Sequence, residues 1–112
     1  MSFNEAQLDE LKLIAPNLSS SQEGGYNYIL IEKLVLPSGC NPPVVDALLC
    51  PEPREGYQSR LFLSEQITGC PGRNWNGRIR VLNKNWYAIS WQVPNGLRLA
   101  EALLIHLKAF RQ

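Results

Sequence analysis

Three cysteines, Cys40, Cys50 and Cys70, are the side chains of this sequence best suited to covalent chemistry. None belongs to a Cys-x-x-Cys pair, and His106 is the one histidine, so the close set of four ligands that structural zinc requires is missing. We therefore expect no metal and no cofactor. In a reducing cytosol all three thiols stay reduced, and we expect at most one of them to react.

Cys70 has the surroundings that favour a reactive thiol. It lies in Thr68-Gly69-Cys70-Pro71-Gly72, which predicts a tight, exposed turn, and Arg73 follows. A nearby cation lowers the pKa of a thiol and so increases the thiolate fraction. Cys50 instead ends an apolar stretch and is predicted to be buried. Cys40 follows a glycine in a predicted turn.

Basic residues are concentrated in the second half of the chain. Residues 1–53 carry two basic and seven acidic side chains, whereas residues 54–112 carry nine basic and three acidic ones. No acid occurs between Gln66 and Ala100, the stretch that holds all three tryptophans. Its basic residues are Arg73, Arg78, Arg80, Lys84 and Arg98. Such a stretch can bind nucleic acid. A sheet with an apolar face that holds the tryptophans and a solvent-exposed face that holds the arginines gives the same pattern, and we favour that interpretation.

Length and composition predict one globular domain over residues 1–112. The 112 residues are 45% hydrophobic, enough for a core of their own. No apolar run approaches the roughly 20 residues that a membrane helix needs. The first residues lack the basic start and apolar core of a signal peptide. We therefore expect a cytoplasmic protein with no membrane partner.

A helix is predicted at each end of the chain. Ser2 and Glu5 form a capping box, an apolar stripe follows, and Pro16 ends the first helix. The last helix follows Pro94-Asn95-Gly96, and His106 lies beside its apolar stripe, where it is predicted to pack rather than to act as a base.

Alternating apolar residues predict strands between the helices, whereas Asn17–Gly25 and Thr68–Gly77 are interpreted as loops. The predicted strands are Tyr26–Leu36, Val44–Cys50 and Arg60–Gln66, and the segments Arg78–Leu82 and Trp86–Val93, split by a turn, are predicted to be extended. We therefore expect an α+β domain with an N-terminal helix, an antiparallel meander of about four strands and a C-terminal helix, with both helices on one face of the sheet.

Several short motifs have the order found in one enzyme family. They are Leu36-Pro37-Ser38-Gly39, the segment Pro43 to Leu49, Gly56-Tyr57, Leu61-Phe62-Leu63, and a later Trp86, Trp91 and Pro94 before an apolar helix. Together they resemble the bacterial members of the ubiquitin-conjugating-enzyme (UBC) superfamily, in particular the compact branch found beside ubiquitin-like modifiers and their activating enzymes. The resemblance implies the UBC fold for about residues 26 to 110.

The resemblance also implies thioester transfer. An enzyme of this family takes a ubiquitin-like modifier from an activating enzyme onto its own cysteine and passes it to an amine. That chemistry needs an accessible thiol and a hydrogen-bond donor for the tetrahedral oxyanion. The implied partners are the modifier and its activating enzyme.

The sequence departs from the family at the catalytic positions. It has no His-Pro-Asn triplet, and Asn76-Gly77-Arg78-Ile79 resembles the run before the family's cysteine but is followed by Arg80. Two interpretations stay open. Either Cys70 is the nucleophile and Asn74 and Asn76 supply the oxyanion donor, or the chain is a catalytically inactive scaffold that binds the same partners.

The basic residues Arg73, Arg78, Arg80 and Lys84 are predicted to bind the partner protein, because acidic docking surfaces would be steered towards them. A third interpretation, a small nucleic-acid-binding domain that uses the same residues with Trp75, is disfavoured.

Overall fold

The structure is a computed structural model that describes residues 3–69 and 74–111. Six strands form one antiparallel sheet with the strand order β1-β2-β3-β4-β6-β5. In chain order the elements are α1 (Glu5–Lys12), β1 (Leu18–Glu23), β2 (Tyr26–Val35), β3 (Val44–Cys50), β4 (Arg60–Leu63), β5 (Trp75–Val81), β6 (Lys84–Ile89) and α2 (Leu99–Lys108).

The predicted fold, a UBC-like meander of about four strands, is wrong in the number of strands. The sheet has six, and about 42% of the described residues are strand and 17% helix, so the fold is a small β-rich α+β fold. β1 lies within the predicted loop Asn17–Gly25. Its Ser-rich sequence shows no apolar alternation because it is an edge strand that pairs with β2 alone in the sheet.

The predicted meander, in which each strand pairs with the next along the chain, is also wrong after β4. β4 pairs with β6 through Leu63 and Tyr87, and β5 lies outside β6 at the edge. β5 and β6 form a hairpin whose turn residues Leu82 and Asn83 both have left-handed φ angles, 54° and 61°. β5 also begins at Trp75, inside the second predicted loop.

Both helices pack on one face of the sheet, the helix face. Leu11 of α1, Ile31 of β2 and Leu103 of α2 are fully buried there. The N-cap of α1 is Asn4, whose Oδ1 accepts a hydrogen bond from the Gln7 amide at 3.1 Å. The predicted cap Ser2 lies outside the described residues. No helix in the described ranges is long and apolar enough to cross a membrane.

The opposite face of the sheet is apolar as well. Tyr28, Leu48, Phe62 and Trp86 are at most 1% exposed and pack together there. At one end the two edges of the sheet approach each other, because the Leu82 amide after β5 donates to a Glu23 carboxylate oxygen of β1 at 3.3 Å. The sheet therefore curls over this second face.

Candidate functional site

Two of the three cysteines are buried. Cys40 is 7% exposed and its thiol donates to the Phe110 carbonyl oxygen at 3.7 Å, and Cys50 is 0% exposed. Burial raises the pKa of the Cys50 thiol above its ordinary value. Neither thiol can meet a carbonyl carbon carried by another protein. The predicted nucleophile Cys70 and the predicted partner-binding Arg73 lie outside the described residues.

The chain is held on both sides of residues 70–73. Before them, Thr68 and Asn41 exchange backbone hydrogen bonds of 2.9 and 2.7 Å. After them, the Asn74 carbonyl oxygen accepts from the Ser90 amide at 2.7 Å. Gly69 has a φ of 79°, and a Cβ there would collide with the carbonyl oxygen of Gly39. This close approach requires glycine.

An open cleft of about 530 Å³ lies at the Gly39 turn. The described residues that line it are Pro37, Ser38, Gly39 and Arg111. Arg111 follows α2, so the cleft lies where the end of the chain meets the β2–β3 turn.

Asn76, a predicted oxyanion donor, is held in place by a side-chain network. Its Oδ1 accepts from Arg60 Nη2 at 2.6 Å, and its Nδ2 donates to the Tyr57 hydroxyl at 2.8 Å. The Tyr57 hydroxyl in turn donates to Ser90 Oγ at 3.1 Å. The hydrogen bonds with Ser90 and Asn76 lower the pKa of Tyr57 below its ordinary value. An amide nitrogen carries two N–H groups, so the second N–H of Asn76 remains for a ligand.

Arg60 is the buried centre of this network. Its side chain is 3% exposed, its Nη2 also donates to the Ile89 carbonyl oxygen at 2.9 Å, and its guanidinium lies 4.1 Å from the centre of the Tyr57 ring. A Cβ at Gly77 would lie 2.9 Å from Nη2, so Gly77 leaves room for the guanidinium. Burial lowers the pKa of Arg60.

Asn74, the other predicted oxyanion donor, lies outside this side-chain network. Asn74 is exposed, and its backbone carbonyl, not its amide, binds Ser90. The structure therefore brings Asn76 together with Tyr57 and Arg60, two residues that the sequence did not point to. No sequence signal marked Arg60 for burial, because arginine is mostly exposed and is almost never fully buried unless it is paired.

His106 is a packing histidine, as predicted. It is 5% exposed, and its Nε2 lies 2.9 Å from Ser59 Oγ. Burial, together with the nearby Arg60 charge, lowers the pKa of His106 to about 3. The imidazole is therefore neutral at physiological pH and is shielded from a substrate.

The predicted partner-binding residues Arg78, Arg80 and Lys84 lie at the β5–β6 hairpin and are exposed. Lys84 forms an ion pair with Asp46 of β3 at 3.7 Å. The acid-free stretch of sequence is therefore not an acid-free surface, because β3 brings a carboxylate to it. Among the described basic residues of this stretch, Arg98 also forms an ion pair, with Glu10, and only Arg78 and Arg80 form none.

The tryptophans pack inside the protein. Trp75 stacks on Phe110 with ring centres 6.3 Å apart, Trp86 is 0% exposed, and Trp91 Nε1 donates to the Ile105 carbonyl oxygen at 3.1 Å. Trp86 is therefore closed to a nucleic-acid base, whereas Trp75 and Trp91 are partly exposed.

No cluster of three or more His, Cys, Asp or Glu side chains that could hold a metal ion occurs within residues 3–69 and 74–111. Comparisons with family models, with curated proteins and with solved structures returned no match. These comparisons do not identify the UBC superfamily, so the resemblance stays a prediction from the short sequence motifs.

Proposed function

We propose that this chain is a cytoplasmic component of a bacterial ubiquitin-like protein conjugation pathway and carries the modifier as a thioester on Cys70. The observation that supports this most is the fixed amide of Asn76, which follows the Cys70 segment closely in sequence and has an N–H for an oxyanion. The burial of Cys40 and Cys50 also supports it, because a buried thiol is a poor acceptor for an acyl group carried by another protein.

The proposed reaction has two acyl transfers. The Cys70 thiolate attacks the thioester carbonyl on the activating enzyme, a new S–C bond forms, and the enzyme's thiolate leaves. An acceptor amine then attacks the new thioester, a C–N bond forms, the amine proton passes to water, and the Cys70 thiolate leaves. In each tetrahedral state the Asn76 amide donates to the oxyanion.

Serine variants of the three cysteines test the carrier role. Cys70→Ser should replace a reductant-sensitive adduct with a more stable oxyester or abolish the adduct, because an alkoxide leaves less readily than a thiolate. Cys40→Ser and Cys50→Ser are the matched controls and should keep the labile adduct. The readout is a gel of the chain with its modifier and activating enzyme, run with and without reductant.

A donor test separates Asn76 from Asn74. Removing one oxyanion donor costs on the order of 10²–10³ in rate, so Asn76→Ala should slow transfer to the amine by about that factor. Asn74→Ala should change the rate little, because the Asn74 side chain is exposed and the residue binds Ser90 through its backbone. Equal rates for both variants would contradict a role for Asn76.

A non-catalytic scaffold is the second candidate, and the position of Arg80 favours it. The resemblance expects a cysteine there, but Arg80 is an exposed residue of edge strand β5. A scaffold would bind the modifier or its activating enzyme through Arg78 and Arg80. If all three serine variants still support conjugation, the carrier role is excluded and the scaffold role stands.

A further inference from the structure

β5 has one strand partner and one outer edge. It is last in the strand order, and within the described residues it pairs with β6 alone. An unpaired strand edge offers a row of N–H and C=O groups to any extended chain that can align with it.

The hairpin turn fixes which residues offer those groups. In a two-residue turn the flanking pair, here Val81 and Lys84, exchanges both backbone hydrogen bonds, and bonded and non-bonded pairs then alternate. Ile79 is thus bonded to Trp86, whereas Arg80 and Arg78 stand opposite Asn85 and Tyr87 in non-bonded pairs. The backbone N–H and C=O of Arg78 and Arg80 therefore point away from β6, to the outer edge.

The same two residues carry the positive charge of the edge. Both side chains are exposed and, as alternate residues of a strand, lie on one face. The Arg80 guanidinium donates to Asn85 Oδ1 and the Asn83 carbonyl at 3.3 Å each, and that of Arg78 lies 5.8 Å from the Tyr87 ring centre. In the described part of the chain neither forms an ion pair, so both charges are available to a carboxylate partner.

We propose that the outer edge of β5 binds an extended acidic segment of a partner protein as a further strand of the sheet. Backbone hydrogen bonds to Arg78 and Arg80 would hold the segment, and their guanidinium groups would select alternate acidic side chains. The opposite edge, β1, has the sequence Leu-Ser-Ser-Ser-Gln-Glu and no cation. This binding site goes beyond the carrier role and is independent of Cys70.

A peptide is favoured over a nucleic acid because of what surrounds the arginines. Trp86 is buried, Trp75 stacks on Phe110, and the Trp91 indole is bonded to the Ile105 carbonyl, so Tyr87 is the aromatic ring beside the arginines, whereas single-strand binding typically uses several stacking rings. A polyphosphate backbone also has no amide donors for the outward carbonyl oxygens of Arg78 and Arg80, whereas a peptide strand has them.

The probe is a short fluorescent peptide in which glutamate alternates with valine, measured by anisotropy against the full chain. Two further peptides carry N-methyl groups on alternate amides, one on the even and one on the odd positions. A strand has a different set of amides along each edge, so one methylated peptide should lose binding and the other keep it. Equal binding of the two would overturn strand addition.

Matched double variants test the charges. Arg78→Ser with Arg80→Ser should weaken binding about tenfold, as expected for the loss of two exposed ion pairs. Lys12→Ser with Lys108→Ser removes the same charge from the helices and should leave binding unchanged. Equal loss in both variants would show that only net charge matters and would overturn the proposal.

Amide hydrogen exchange locates the bound strand. The amides of Arg78 and Arg80 should gain protection when the peptide binds, while the Ile79 amide, already bonded to Trp86, should change little. Protection at β1 instead would overturn the proposal in favour of the other edge of the sheet. Tighter binding of an oligothymidylate than of the peptide would overturn it in favour of a nucleic acid. Self-association of the chain through β5 would overturn it in favour of a second copy of the chain.

Discussion

The two faces of the sheet are both apolar but are closed in different ways. The helix face is covered by α1 and α2 and is mostly aliphatic. The opposite face carries Tyr28, Phe62 and Trp86, and arginine guanidinium groups lie against its aromatic rings. Arg54 lies 4.2 Å from the Tyr26 ring centre and hydrogen-bonds the Tyr28 hydroxyl, and Arg60 lies over the Tyr57 ring.

The two faces also differ in the polar groups that they bury. The helix face buries His106 as a neutral group, whereas the charged Arg60 guanidinium is buried at the opposite face and needs partners. One of those partners is Asn76, so the site is built on the face that has no helix. A change that loosens the second face is therefore expected to disturb the Asn76 network directly, while a change in the helix face is expected to act first on stability.

The largest expected effect compares neighbouring leucines of β3. Leu48 packs on the second face and Leu49 on the helix face, and both are 0% exposed. Each Leu→Ala change should lower the free energy of unfolding by about 2–5 kcal/mol, because each leaves a cavity. Urea unfolding measures it. A cost for Leu48→Ala far below that range would show that the second face is not a closed core.

Arg60→Met should have the next largest effect. The Ile89 carbonyl and Asn76 Oδ1 would both lose their donor, which should cost about 2–4 kcal/mol. Arg60→Lys keeps the charge but not the planar fork that spans both acceptors, and it should recover only part of the loss. Arg78→Met, an exposed control, should stay within about 0.5 kcal/mol of the wild type. If Arg60→Met also changed the free energy of unfolding by no more than about 0.5 kcal/mol, the network would not stabilise the fold.

The elements that the sequence predicted well are those with strong apolar patterns. Val44–Cys50 matches β3, and Tyr26–Leu36 exceeds β2 by one residue. β1 was missed because a Ser-rich edge strand buries little and so has no apolar period. Gly24-Gly25 was nevertheless a hairpin signal, since these residues have left-handed φ angles and Glu23 pairs with Tyr26 across them.

The site could be predicted only in part, because tertiary contacts assemble it. Asn76 was identified from its place after Cys70, but its partners Arg60 and Tyr57 lie 16 and 19 residues away in sequence. No local pattern links those residues. The pairing of β4 with β6 also cannot be deduced from the hairpin alone, and it is this pairing that brings Arg60 to the Ile89 carbonyl.

A pH series tests the neutral histidine of the helix face. The pKa of His106 falls from 6.5 to about 3 on folding, so the unfolded chain binds more protons and stability is lost as the pH falls below 6.5. Between pH 7.5 and 5 the loss should be about 2 kcal/mol. His106→Gln removes the titration and should flatten the profile in this window. An unchanged slope in that variant would assign the pH dependence to other groups.

The smallest expected effect concerns the ion pair between Lys84 and Asp46 at the rim of the second face. The two side chains are 58% and 32% exposed, and 3.7 Å separates their charged atoms. Water and salt screen such a pair, so a double-mutant cycle of Lys84→Ser and Asp46→Asn should give a coupling below about 1 kcal/mol. Asparagine keeps the Oδ1 that accepts from the Lys33 amide. A larger coupling that resists added salt would mean that this pair helps to close the second face, as the helices close the first.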